Sequence, residues 1–197
     1  MRIALVNLCR LSDFATNPTY ADDINFLQEN DISYTDYCSG RATNSDQLDG
    51  FHQAISDPTI DLVFFVQGGS VLIKFLPLID WDLVQKSNKK YAGLSDFTHF
   101  AFKSVSLGCE CYYGIALRDV HKYWPTQNDQ APIIELLKNN SGHFNQALSM
   151  TDNSAQDLSN EKVIGGHIII STFMLSQLQI SLADTYLFLE YHNIPGE

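Results

Sequence analysis

The chain has 197 residues, room for one ordinary domain or for one domain and part of a second. Apolar residues make up 45% and charged residues 18%, which excludes a disordered chain. With 12 Lys and Arg against 23 Asp and Glu the net charge is −11, which argues against binding nucleic acid through its phosphates and against docking on an anionic membrane.

The most apolar stretch, residues 163–175, is too short to span a bilayer and is interrupted by Gly165, Gly166 and His167. The start carries one basic residue, no long apolar run and no small-residue cleavage site, so a cytoplasmic protein is expected. Cys9, Cys38, Cys109 and Cys111 match no zinc spacing and read as free thiols. No metal site and no cofactor are expected, since neither a G-x-G-x-x-G nor a P-loop pattern occurs.

In chain order, residues 3–6 form a short apolar run that reads as a buried strand. Thr19 can cap a helix over 20–29, with Ala21, Ile24 and Leu27 on one face. Residues 32–37 are a second strand candidate. Ser45 can cap a helix carrying Leu48, Phe51, Ala54 and Ile55 at helical spacing, ended by Asp57-Pro58. Residues 62–66 are apolar on both faces, as central parallel strands are. A fourth strand covers 91–94, and a helical pattern runs from Asp96 to about Leu107. Residues 112–161 are polar and read as loops around a helix at 133–137 with a few short strands. An apolar helix follows over about 168–179, then a strand over 186–190. This order predicts an α/β fold with an open, mostly parallel, doubly wound sheet over residues 1–160. Residues 161–197 are expected to begin a second, truncated domain.

Two features could carry chemistry. Ser95 lies between a strand and a helix, after Gly93. That is nucleophile-elbow geometry, in which a tight turn exposes the hydroxyl at a helix N-terminus. Phe97 stands where the usual second glycine would be, and the alternative is that Ser95 or Asp96 only caps the helix. Gly68-Gly69 follows a buried strand and could offer N–H donors to an oxyanion; an ordinary tight turn is the alternative. His99 lies one turn along the helix that Ser95 opens.

Taken together, these segments resemble the LD-carboxypeptidase family of serine peptidases, which includes the peptidases that confer immunity to microcin C. Gln67-Gly68-Gly69 stands at the family's Arg-Gly-Gly loop, and Leu76-Pro77-Leu78-Ile79-Asp80-Trp81 resembles its Leu-Pro-x-Leu-Asp-[Trp/Tyr] segment. Gly93-Leu94-Ser95-Asp96-Phe97-Thr98 resembles the nucleophile segment Gly-[Tyr/Phe]-Ser-Asp-Ile-Thr. Gly165-Gly166-His167 resembles Gly-Gly-Asn, and Leu187-Phe188-Leu189-Glu190 resembles the segment that carries the triad glutamate.

The resemblance implies a Ser-Glu-His triad with Ser95 as nucleophile and Glu190 orienting the histidine. It implies an oxyanion hole from the N–H groups of Asp96 and of Gly68 or Gly69. The implied reaction releases D-alanine from a murein tetrapeptide in the cytoplasm during cell-wall recycling. The implied partner is a small peptide substrate, and the implied assembly is a homodimer. The chain departs from the pattern in several ways, among them Tyr191 where the family has Asp after the glutamate. The family's catalytic histidine lies well beyond the glutamate, in a part of the second domain expected to lie outside these 197 residues, which leaves His192 or His99 as substitute bases. The loop arginine is Gln67, and the Asn after Gly-Gly is His167. The alternatives to an active hydrolase are a weak or inactive relative that binds peptide or nucleotide-like ligands, and a partly folded remnant.

Overall fold

The computed structural model describes residues 1–118, 120–139, 162–178 and 185–190. The chain begins β1 (Arg2–Val6), α1 (Tyr20–Glu29), β2 (Ser33–Asp36), α2 (Asn44–Ser56) and β3 (Leu62–Phe65). It continues through α3 (Leu72–Phe75), α4 (Trp81–Lys86), β4 (Lys90–Gly93), α5 (Thr98–Ser106) and β5 (Cys111–Tyr113). Then follow α6 (Val120–Tyr123), α7 (Gln127–Asn139), β6 (Lys162–His167), α8 (Ile168–Leu178) and β7 (Thr185–Glu190).

Strands β1 to β5 form one sheet in the order β2-β1-β3-β4-β5, with every neighbouring pair parallel. The central strands are apolar on both faces because helices cover both. Val63 and Phe65 of β3 face one core with Ala4, Val6 and Tyr91, while Leu62 and Phe64 face the other with Ile3, Leu5 and Ala92. The first core is aromatic. Phe100 of α5 lies 5.6 Å from Phe51, 5.0 Å from Phe65 and 4.8 Å from Tyr91 between ring centroids. Edge strand β2, sequence Ser-Tyr-Thr-Asp, is exposed at Ser33 and half-exposed over the rest, as an edge should be.

The α/β parallel sheet is as expected, with differences of detail. Strand β5 lies partly in the stretch read as polar loops. Helix α2 is capped by Thr43 rather than Ser45: the Thr43 hydroxyl accepts the Asp46 N–H. Thr19 precedes α1 without capping it, because its hydroxyl donates to the Asp23 carboxylate instead (2.9 Å). Helix α7 starts six residues before the expected 133, at Gln127, and contains Pro132. Thr126 and Asp129 explain the early start. The Thr126 hydroxyl accepts the Asp129 N–H, and the Asp129 carboxylate accepts the Thr126 N–H (3.1 Å), a reciprocal cap that sets the first turn.

Strands β6 and β7 form a separate two-stranded parallel sheet, joined by α8. Helix α8 packs along α5, and β6 reaches the turn that follows β4. The expected boundary at residues 160–161 lies outside the described residues. No described helix is long and apolar enough to cross a membrane.

Candidate active site

The core chemistry begins where β4 ends. A Cβ at Gly93 would stand 2.6 Å from the Phe97 ring, so the strand can turn tightly only with glycine there. Ser95 then takes φ 56° and opens a single 3-10 turn, Ser95–Phe97. The other described non-glycine residues with positive φ are Asp31 and Asn88, types that tolerate it; serine is the outlier. Its main chain is held on both sides. The Ser95 N–H donates to the Tyr113 hydroxyl (3.0 Å), and the Thr98 hydroxyl donates to the Ser95 carbonyl (2.6 Å).

The capping alternative does not describe this geometry, because neither the 3-10 turn nor α5 has a side-chain cap. Asp96 is buried and makes tertiary contacts. Its carboxylate accepts the Leu72 N–H (2.8 Å) and lies 3.0 Å from His99 Nδ1. It thereby ties α3 to the elbow.

The paired glycines divide their roles. A Cβ at Gly68 would stand 2.9 Å from Ser95 Cβ and 3.3 Å from its Oγ, so this backbone abuts the serine. A Cβ at Gly69 would stand 1.7 Å from the Cys9 carbonyl oxygen, so Gly69 is pressed against the segment after β1 instead. Only Gly68 of the pair has Ser95 as its close neighbour.

Glu190, at the end of β7, reaches the elbow through Tyr113. The Tyr113 hydroxyl donates to Glu190 Oε1 (2.7 Å) while accepting the Ser95 N–H. Burial, opposed by the Thr98 hydroxyl and reinforced by the neighbouring Glu190 carboxylate, holds the Tyr113 phenol well above the ordinary tyrosine range. Sequence reasoning missed this residue; its one local signal was an aromatic at a strand end.

The histidines are less well situated. His99 is buried with Nδ1 on the Asp96 carbonyl (3.1 Å) and carboxylate, away from the cleft described below. His167 is the register partner of Glu190, and its main-chain N–H donates to the Thr98 hydroxyl (3.0 Å). His192 lies outside the described residues. Cys9 is fully buried, and burial raises its thiol well above the usual range, which disfavours a nucleophile there. Among the described residues no group of three His, Cys, Asp or Glu could hold a metal ion.

Ser95 and Glu190 open onto one cleft of about 630 Å³, shared with Arg10, Gln67, Gly68 and Arg118. Apart from Glu190, which ends β7, these residues follow the carboxyl ends of β1, β3, β4 and β5, at the point where the strand order reverses between β1 and β3. Such a crevice is where open α/β sheets bind ligands. The Leu117 and Arg118 N–H groups both donate to the Val66 carbonyl (3.0 and 2.9 Å), which brings the Arg118 guanidinium to the Gln67 side-chain oxygen (3.2 Å). No histidine among the described residues lines the cleft.

A family model described as the LD-carboxypeptidase N-terminal domain matches residues 3–114. The fold is similar to that of the microcin C7 self-immunity protein MccF in complex with aspartyl sulfamoyl adenosine. That match has a TM-score of 0.65 at 17% identity and covers 88% of this chain and 62% of that one. It is equally similar to a muramoyltetrapeptide carboxypeptidase from Oxalobacter formigenes (0.65, 17% identity, 88% of this chain and 60% of that one). An MccF-like protein from Streptococcus pneumoniae in complex with AMP aligns over more of the chain (0.65, 18% identity, 95% and 71%). At these identities the likeness establishes the fold, and the chain spans about 62% of the length of the first of these structures. No curated protein sequence matches the chain.

Proposed function

The chain belongs to the LD-carboxypeptidase family, and on that premise we propose that it is a serine hydrolase cutting the amide between an L-centre and a terminal D-residue of a murein-type tetrapeptide. One observation carries the reading: a serine in a left-handed turn, backed by a glycine and joined through Tyr113 to a glutamate, all in one cleft.

In this reading Ser95 Oγ attacks the scissile carbonyl and its proton passes to a general base, which the family resemblance identifies as a histidine. The developing oxyanion is met by the N–H groups of Gly68 and Asp96. Collapse breaks the C–N bond and releases the D-residue as its amine, which takes the proton. Water then hydrolyses the Ser95 ester. Cell-wall recycling in the cytoplasm, by a homodimer, is the setting this reading implies. One MccF structure is a complex with aspartyl sulfamoyl adenosine, so an aminoacyl-nucleotide is the second substrate to assay.

The test is D-alanine release from an L,D-tetrapeptide. The Ser95→Ala variant should lose on the order of 10⁴ to 10⁶ in turnover. Equal release from both proteins would sink the proposal. A binding module is the second reading, favoured by the absence of a histidine among the described cleft residues. It predicts no release from either protein but retained binding of the peptide or nucleotide.

A further inference from the structure

Both peptide groups of Ser95 are tied, each through one hydroxyl, to the β6–β7 sheet. On one side the Ser95 N–H donates to the Tyr113 hydroxyl (3.0 Å), which donates to Glu190 at the end of β7 (2.7 Å). On the other side the Thr98 hydroxyl donates to the Ser95 carbonyl (2.6 Å) and accepts the main-chain N–H of His167 at the end of β6 (3.0 Å). His167 and Glu190 are register partners, so the two arms close a ring around the nucleophile. The geometry points to Thr98 as a positioning residue, whose hydroxyl makes the turn of Ser95 depend on how β6 is seated. The inference deepens the hydrolase reading and rests on it for the reaction, not for the ring.

A threonine in the first turn of a helix can bond back to the carbonyl three residues earlier with no wider role. Three observations set Thr98 apart. Its oxygen also accepts an N–H from 69 residues along the chain, so one atom joins the elbow to a second sheet. Thr98 is fully buried, so water does not substitute for either partner. Third, β6 is pressed onto it. A Cβ at Gly166 would stand 2.5 Å from Thr98 Cγ2 and 3.0 Å from its Oγ1, so the strand reaches this distance only with glycine there.

The residue held in the ring needs holding. Ser95 has φ 56°, a conformation disfavoured for serine, and its side chain abuts Gly68. A small rotation of the turn therefore moves Oγ relative to the donors that would meet the oxyanion. Displacements of that kind are costly in rate even when substrate still binds. Thr98→Val keeps the branched shape but deprives the His167 N–H of its acceptor and strips one donor from the Ser95 carbonyl.

The test has one readout that needs no turnover and one that does. The first is NMR of the full chain, in which the Ser95 Cα and Cβ shifts report its left-handed backbone. They should leave those values in Thr98→Val and return in Thr98→Ser. The second is D-alanine release from an L,D-tetrapeptide. In Thr98→Val, kcat should fall on the order of ten- to a hundredfold with KM changed by less than about twofold, and Thr98→Ser should restore most of it. Gly166→Ala, which displaces Thr98 from the other side, should act in the same direction. The double variant with Thr98→Val should be no slower than the worse single, because both act through one hydroxyl. Thermal melts confirm that each variant is folded. Hydrogen exchange on the unmodified protein needs no variant: the His167 amide should be protected. An unprotected His167 amide, Ser95 shifts unmoved in folded Thr98→Val, or a kcat loss that Thr98→Ser does not restore would each overturn the assignment. Failure of the hydrolase reading would appear separately, as absent D-alanine release from the unmodified protein while the Ser95 shifts still move in Thr98→Val.

Discussion

Tyr113→Phe removes one oxygen atom and two hydrogen bonds at the elbow. The Ser95 N–H loses its acceptor, and Glu190 loses a donor to its carboxylate. An unsatisfied backbone N–H costs about 1–3 kcal/mol, and a hydrogen bond to a charged group contributes about 1.5–3 kcal/mol. Glu190 opens onto the cleft, so water recovers part of the second contribution. The net expectation is a loss of about 2–4 kcal/mol. At about 2–4 °C per kcal/mol for a domain of this size, the melting temperature should fall by about 4–16 °C. Urea titrations of the wild type, Tyr113→Phe, Glu190→Gln and the double variant close a cycle, and the coupling between the two sites should be about 0.5–3 kcal/mol. There is also a pH signature. The folded protein raises the phenol's pKa above its unfolded value of about 10, so the stability it contributes is complete below that pH and is lost as pH rises past it. The alkaline fall in stability should be shallower in Tyr113→Phe. A melting shift under about 2 °C with additive single variants would refute the reasoning that this hydroxyl joins the nucleophile turn to β7.

Two further outcomes follow from the same structure. Gly69→Ala should cost at least about 3 kcal/mol in urea titrations, because its Cβ meets main chain, 1.7 Å from the Cys9 carbonyl oxygen, and not a side chain that can swing away; a near-neutral result would show that the segment after β1 yields easily. The Asp57 carboxyl is lowered to about 2, first by the Tyr37 hydroxyl (2.6 Å) and then by the Thr59 N–H and hydroxyl. Its contribution is present above about pH 3.9 and is lost as pH falls through about 2, so Tyr37→Phe should flatten the stability profile between those values, as read from urea midpoints.

Much of the fold was legible because its signals are local. β3 reads as a buried strand from Leu62-Val63-Phe64-Phe65 alone, and α1 begins and ends at the expected residues. Ser95 was legible for the same reason, since a strand, a glycine and a helix lie within a few residues of it. What was missed depends on distance along the chain. Tyr113 matters through a contact with Glu190, 77 residues away, and its strand has only three residues, too short for a period to show. Asp96 looked like a cap because caps are the usual reason for an aspartate there; its partners are the N-terminal end of α3 and a histidine, set by tertiary packing. Gly68 and Gly69 are identical in sequence, and their different neighbours come from how β1 and β4 flank β3.

The backbone of Ser95 bears on what has shaped this sequence. A left-handed conformation costs a side-chain-bearing residue about 1–2 kcal/mol, and glycine would avoid that cost without disturbing any neighbour. For folding alone, then, serine is the poorer residue at this position. A chain released from any task for that hydroxyl could relax the turn by a single substitution. This chain carries the less stable residue, at a turn that faces Gly68 and the cleft.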